Sequence, residues 1–464
     1  MTKPKASGSA IPSGRRVDVA SIMSRKRIRQ STRRDFLKVT ATALSLSPFV
    51  SFPDAILPGQ SPFRIAKWTH FLPEFDAWFE TMAGEWGRQH NVEVSVDEIP
   101  VEKIYALAKA ETKAGQGHDL FIFPWPPAEF QEEAIDHGGI YQAVASRYGA
   151  IPQIAFKSTV NPKTKKHFAF ADSWIPTPLL YLEDCWQQAS MPYGPLAYGS
   201  LRSGGQRIRD QMGIPCGLAL TSTLEGNITC HTILYSFGGT MTNVKGEARI
   251  DARTTAALNF AKSLYHDAGT PDELSWPAGE NVHSMLARKV SCTMSSVGLL
   301  RLAEKHAPGV AKAIRIQPPL LGSYGVTAFP YATNCSVIWK FSKNRDLASQ
   351  FLADLIDQSK VMYEKSQGCN FPTYPKALPD LIVRLENDVR GDPPAKYKEL
   401  KDALHWTPNL GAPGIVSPAW MEAFNTSVIP RMFQSAVKGE LSVLDAARAA
   451  ESEMKQLVEK WRDV

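Results

Sequence analysis

The chain has 464 residues, 44% hydrophobic and 21% charged, with a formal net charge of +6; at this length more than one core is expected, since single cores seldom exceed about 250–300 residues. The composition excludes a disordered, fibrous or collagen-like protein. Eleven Lys/Arg and three Asp/Glu fall in residues 1–55, which leaves 41 basic and 43 acidic residues beyond, so the body lacks the basic excess of a nucleic-acid binder.

Near the start, Ser31 to Lys38 reads STRRDFLK, and the run from Val39 to Phe52 that follows is only weakly apolar, broken by Thr40, Thr42, Ser45, Ser47 and Pro48. That run is too short and too polar to span a bilayer. The segment resembles the twin-arginine export signal, so residues 1–55 are expected to be a signal peptide that directs the protein to the periplasm. No later run reaches about eighteen apolar residues, and no membrane span is expected. The six cysteines (Cys185, Cys216, Cys230, Cys292, Cys335 and Cys369) show neither a C-x-x-C pair nor zinc-type spacing. They are expected to be isolated buried thiols, with no metal and no cofactor.

Past residue 60, RIAKW (Arg64 to Trp68) predicts a strand, and Phe75, Trp78, Phe79, Met82 and Trp86 recur at helical spacing. Trp78 and Trp86 belong to that stripe and are expected in the core. VEVSVDEI alternates with period two from Val92, a helix follows through Ile104 and Leu107, and DLFIF at Asp119 to Phe123 predicts a buried strand. Such a β-α-β-α-β order calls for a parallel sheet covered by helices, with ligands received at the carboxyl ends of its strands. KTKK at Lys163 to Lys166 reads as a solvated loop.

A second α/β region has predicted strands at PCGLAL near Pro215, KVSCTM at Lys289 to Met294 and AIRI at Ala313 to Ile316. Helices are predicted around Ile228 to Phe237, Arg253 to His266 and Val297 to Glu304. NCSVIWKF then returns as a strand and NRDLASQFLADLIDQ as a helix. From Lys376 the chain reads as largely helical, closing with Leu444 to Trp461.

FGGTMTNVKGEARIDARTTAALNFAKSLYHDAG carries the most specific likeness to a known family: a Gly-Gly helix stop, a turn on Gly246, and Asp251 capping a helix through Ala257, Leu258, Phe260 and Leu264. HDLFIFPW, AIDHGGIYQ, CTMSSVGLL, SQGCNFPTYPKAL and KGELSVLDAARAAESEM add to it. Together these stretches resemble extracellular solute-binding protein family 1, the sugar-type periplasmic receptors of ABC importers. The resemblance implies a two-lobed α/β fold of the type II periplasmic-binding-protein kind, each lobe a mostly parallel sheet flanked by helices. Lobe 1 would hold residues 60–172 and 336–375, lobe 2 residues 173–335, and residues 376–464 a helical region packed on both. Crossings would lie near Ser173 to Pro178 and Tyr331 to Cys335. YLEDCW and MPYGPLAYGSLRSGGQR depart from the family's usual segments.

The implied function is capture of a sugar or other small polyhydroxylated solute by hinge closure, with delivery to a permease; a monomer without catalytic activity is expected. Sugar rings present apolar faces that suit aromatic side chains. Trp68 and Trp125 end or follow strands and Trp174 lies at a crossing, so these three are candidate ligand contacts. Polar candidates are Glu225, Asn227 and His231 at the start of a helix, Ser295 and Ser296 after CTM, Tyr331 and Asn334 at the second crossing, and Trp406 and Asn409 in a Pro-flanked loop. Asn227 also reads simply as a helix N-cap. The alternative is a secreted carbohydrate-active enzyme. No G-x-S-x-G, H-E-x-x-H or P-loop occurs; GSLRSGGQR at Gly199 to Arg207 reads as a surface loop, and Glu183-Asp184 as adjacent strand residues facing opposite ways.

Overall fold

A computed structural model describes residues 61–463, so the export signal expected in residues 1–55 lies outside the described residues. In chain order the first elements are β1 (Phe63–Trp68), α1 (Pro73–Gln89), β2 (Val94–Ile99), α2 (Val101–Ala114) and β3 (Leu120–Phe123). Helix α1 opens on Pro73, whose fixed φ and missing N–H suit a first turn. Its buried stripe is Phe75, Phe79, Ala83 and Trp86, with Trp78 half-buried against the same core. At its end a Cβ on Gly87 would lie 2.5 Å from a Val94 methyl, so helix and strand pack closely only because that residue is glycine.

Then follow β4 (Phe170–Ile175), β5 (Leu179–Leu182), α3 (Tyr198–Met212), α4 (Leu224–Ser236), α5 (Ala252–Ala268), β6 (Cys292–Met294), α6 (Gly298–His306), β7 (Ile314–Gln317) and β8 (Ala332–Ile338). After them come α7 (Arg345–Leu355), β9 (Phe371–Pro372), α8 (Pro418–Asn425), α9 (Val428–Lys438) and α10 (Val443–Lys460). Six strands form one sheet in the order β2-β1-β3-β8-β4-β9, and three form another in the order β6-β5-β7.

The sheets are less parallel than expected. Only β1–β2 and β1–β3 pair in parallel; β8 runs antiparallel to β3 and β4, and β5 antiparallel to β6 and β7. The physical reason is connectivity, since β8 and β5 are the strands that arrive from the opposite sheet and enter from its far end. Passage between sheets occurs at residues 176–178 and again ahead of β8, close to where the crossings were expected. A third passage follows β9, because the 3₁₀ segment Pro394–Leu400 packs on β7.

Three local expectations fail for identifiable reasons. PCGLAL forms no strand: Cys216 N bonds Ala268 O at 2.7 Å, Gly217 N bonds Cys292 O at 2.9 Å and Leu220 N bonds Glu273 O at 3.3 Å, so successive amides find partners on different elements. GSLRSGGQR is not a loop but lies inside α3. Its glycines are close-packing positions, since a Cβ on Gly204 would lie 2.3 Å from Met191 Sδ and one on Gly205 2.4 Å from Cys216 Sγ. Glu183 and Asp184 sit in the first turn of a short helix, Glu183–Gln188, not on a strand. The six cysteines are all buried and unbridged. No helix among the described residues is long and apolar enough to cross a membrane.

Candidate functional site

Where the two sheets meet, the elements that follow strand ends come together. Beyond β1, the Trp68 ring lies 6.4 Å from Phe71, and Phe71 lies edge-on to Tyr331 at 5.9 Å. A Cβ on Gly298, at the start of α6 beside the other sheet, would be 2.5 Å from the Phe71 ring. The two sides therefore touch at that point. Beyond β3, Trp125 donates its indole N–H to Tyr331 O at 3.2 Å and packs on Phe424 of α8 at 5.5 Å.

The Trp68 indole is aimed by a chain of donors that runs one way. Trp68 Nε1 donates to Asn334 Oδ1 at 3.0 Å, Asn334 Nδ2 to Ser173 Oγ at 2.8 Å, and Ser173 Oγ to Asp172 Oδ1 at 2.6 Å. Because the chain ends on a carboxyl, every donor before it has its direction fixed. Asp172 Oδ2 has no partner, and burial pushes this carboxyl up to about 7. Beside Trp68, His70 accepts from Leu72 N on Nδ1 at 3.1 Å and so donates from Nε2 to Asn370 Oδ1 at 3.2 Å; burial lowers it to about 3 and keeps the ring neutral.

From the other side comes α4. It is capped by Thr223, whose hydroxyl accepts from Gly226 N at 3.3 Å, and not by Asn227. A Cβ on Gly226 would lie 1.8 Å from Thr221 O, so the helix start is pressed against the loop before it. Residues 226–236 are buried all round, which explains why α4 has no polar face. Asn227 Nδ2 donates to Phe424 O and Ser427 Oγ, both at 3.3 Å, while its Oδ1 is unpartnered. His231 Nδ1 donates to Asn227 O at 2.8 Å, and burial lowers its pKa to about 4, so the neutral ring carries a bare lone pair on Nε2. Phe329, Trp420 and Phe424 surround that ring at 4.9–5.7 Å. Burial raises Glu225, whose Oε2 has no partner, and its charge adds to the burial that raises the Tyr331 phenol.

Of the twelve candidates, Trp68, Trp125 and Asn334 join Tyr331 through the contacts above and Glu225 acts on its phenol, while Asn227 and His231 are tied to Phe424, which packs on Trp125. Ser295 N bonds Pro178 O at 3.4 Å and Ser296 Oγ accepts from Gly298 N at 3.2 Å, which places both beside the first passage. Trp174 packs against Phe371 at 5.4 Å with its N–H unpartnered. Trp406 O accepts from Ala328 N at 3.2 Å, leaving its indole N–H unpartnered. Asn409 instead spends its amide on Leu410 O and Gly414 O, pinning its own loop.

Phe71, Phe329, Trp420 and Phe424 were not anticipated. Phe71 had a signal, being the aromatic that follows the β1 end in WTHF. Trp420 and Phe424 are four residues apart on a helix and read as an ordinary core stripe. A hollow of about 540 Å³ lies elsewhere, against α3; Arg202, the one charged side chain lining it, is paired with Asp267. The adjacent carboxylates are also occupied, Glu183 with Arg315 at 2.5 Å and Asp184 with Arg288 at 2.6 Å.

No protein-family model matches the chain. No curated protein matches its sequence. Solved structures do match. An ABC transporter solute-binding protein from Thermotoga lettingae, bound with α-D-tagatose, is 17% identical with a TM-score of 0.70, covering 86% of this chain and 100% of its own. The GacH receptor of Streptomyces glaucescens, solved unliganded and with acarbose, is 18% identical with a TM-score of 0.68, covering 87% and 100%. A solute-binding protein from Agrobacterium radiobacter in complex with ribitol is 16% identical with a TM-score of 0.65, covering 85% and 98%. At such identities the likeness establishes the fold, and the described residues have the two-lobed α/β architecture of these binding proteins.

Proposed function

We propose that the protein is a periplasmic solute receptor of an ABC importer, taking a sugar or polyol between its two lobes and passing it unchanged to a membrane permease. The observation that carries this reading is the cluster of Trp68, Phe71, Trp125 and Tyr331 where the sheets meet, joined through Phe424 to α4 with its unpartnered polar atoms on Glu225, Asn227 and His231. Flat apolar rings suit the C–H faces of a sugar, and unpaired buried polar atoms suit its hydroxyls. The remaining candidates, Trp174, Ser295, Ser296, Asn334, Trp406 and Asn409, complete the wall or support it.

In this reading the lobes are those expected from the sequence, residues 60–172 with 336–375 and residues 173–335, with residues 376–464 packed across both. Their boundaries move to residues 176–178 and to just ahead of β8, because β4 and β8 each lie whole in the large sheet. The ligand favours closure only through contacts made with both lobes. Export by the twin-arginine route, action as a monomer and binding without turnover complete the proposal. The similar structures were solved with tagatose, acarbose and ribitol, ligands that share a dense array of hydroxyls.

A thermal-shift screen over sugars and polyols tests it. A ligand present at 100 times its Kd stabilises the folded state by about 2.7 kcal/mol, so at least one compound is expected to raise the melting temperature by several degrees. Melting temperatures unmoved across the panel would contradict the receptor reading.

A further inference from the structure

Three of the buried polar atoms left over on α4 are acceptors. Glu225 Oε2, Asn227 Oδ1 and His231 Nε2 are all buried, all without a partner, and all acceptors. The His231 assignment follows from its own bond, because Nδ1 donates to the Asn227 carbonyl and a neutral ring then has only a lone pair on Nε2. Asn227 and His231 stand four residues apart on α4, and so on one face of it. Glu225, two residues before Asn227, projects from another side of the helix and is tied to the site by its action on Tyr331.

Among the described residues no arginine or lysine is bonded to Asn227 or His231. Among the described residues Glu225 makes no ion pair with an arginine or lysine. The basic side chain closest to the Trp68 backbone, Lys67, donates to Trp68 O at 2.9 Å and is paired with buried Asp76. Unpartnered donors also lie here, the indole N–H of Trp420 and the hydroxyl of Tyr235 beside the His231 ring, and both are neutral. A phosphate or carboxylate brought here would meet a like charge and bare acceptors, with no guanidinium or ammonium to receive it.

Resting on the receptor reading above, we propose that the site selects for ligands that carry no negative charge, and that Glu225 enforces the exclusion of phosphorylated and carboxylated sugars. Neutral sugars, polyols and amino sugars satisfy the acceptors. Uronic acids and sugar phosphates keep their ring hydroxyls but add repulsion between their anionic group and Glu225. Two like charges about 6 Å apart at an effective dielectric near 20 repel enough to weaken binding by about 100-fold.

The test is calorimetric titration of the purified chain with matched sets built on one ring: glucose, glucosamine, glucuronate and glucose 6-phosphate, and the same for galactose and mannose. Within any set that binds, the anionic members are expected to bind at least about 100-fold more weakly than the neutral one, and Glu225→Gln is expected to shrink that ratio to about tenfold or less. A uronate or phosphate that binds as tightly as its neutral parent would overturn the exclusion while leaving the receptor reading intact. An unchanged ratio in Glu225→Gln would overturn the role given to Glu225. If no member of any charge binds, the receptor reading falls and this inference with it.

Discussion

Replacing Arg301 with alanine is expected to destabilise the protein by about 3–5 kcal/mol, the range typical of removing one partner from a buried ion pair. Arg301 stands on α6 and is 2% exposed. Its guanidinium donates to Asp388 at 2.6 and 3.1 Å, to Glu304 at 2.9 Å and to Gln367 O at 2.6 Å, and it stacks over the Tyr397 ring at 3.9 Å. Alanine would strand two nearly buried carboxylates at once. Gln367 lies between α7 and β9 on the large-sheet side, so the lost bond also joins the two sheets' surroundings. Urea unfolding of the variant measures the loss, and a change below about 1 kcal/mol would show that the cluster is not stabilising. Arg301→Lys is expected to recover only part of it, because an ammonium cannot reproduce the bidentate grip on Asp388.

Asp172 gives the second large effect, and its sign is set by burial. An exposed aspartate titrates near 3.8, whereas burial pushes Asp172 up to about 7. Between those values the folded chain holds a proton that the unfolded chain releases. This contribution is therefore fully present below pH 4 and is lost as pH rises through about 7, by a few kcal/mol, about 4 at most. Asp172→Asn cannot ionise and can still accept the Ser173 hydroxyl through its amide oxygen. The variant is expected to be more stable than the parent at pH 8, with the difference disappearing towards pH 4. Thermal or urea unfolding over that range checks it; parallel pH profiles for the two proteins would show that Asp172 ionises without cost.

Much of the fold is legible in the sequence where local periodicity and tertiary demand agree. The stripe Phe75, Phe79 and Trp86 faces the core, and the alternation at Val94–Ile99 forms β2. Legibility ends where long-range connectivity decides. Nothing local in NCSVIWKF states that β8 enters its sheet antiparallel. Nothing local in GSLRSGGQR states that its glycines are contact points for Met191 and Cys216 rather than loop residues.

The candidate site divides in the same way. Trp68, Trp125 and Asn334 are legible because they sit at or beside strand ends, where an open sheet receives its ligand. Glu225 and His231 are legible because they open a helix after an apolar run. Phe424 is not, for its role depends on α8 returning from far along the chain to cover Trp125, His231 and Asn227 together. Asn227 was legible as polar and near the helix start. That Thr223 takes the cap, freeing Asn227 to face inward, is fixed by Gly226 packing on Thr221.

Isothermal titration of the purified protein with maltose, laminaribiose, D-tagatose and ribitol, followed by recovery of the bound compound, tests the central claim most directly. The account predicts saturable one-to-one binding of at least one of them and its recovery chemically unchanged. Conversion of a bound sugar to product, or absence of binding by all four, would contradict it.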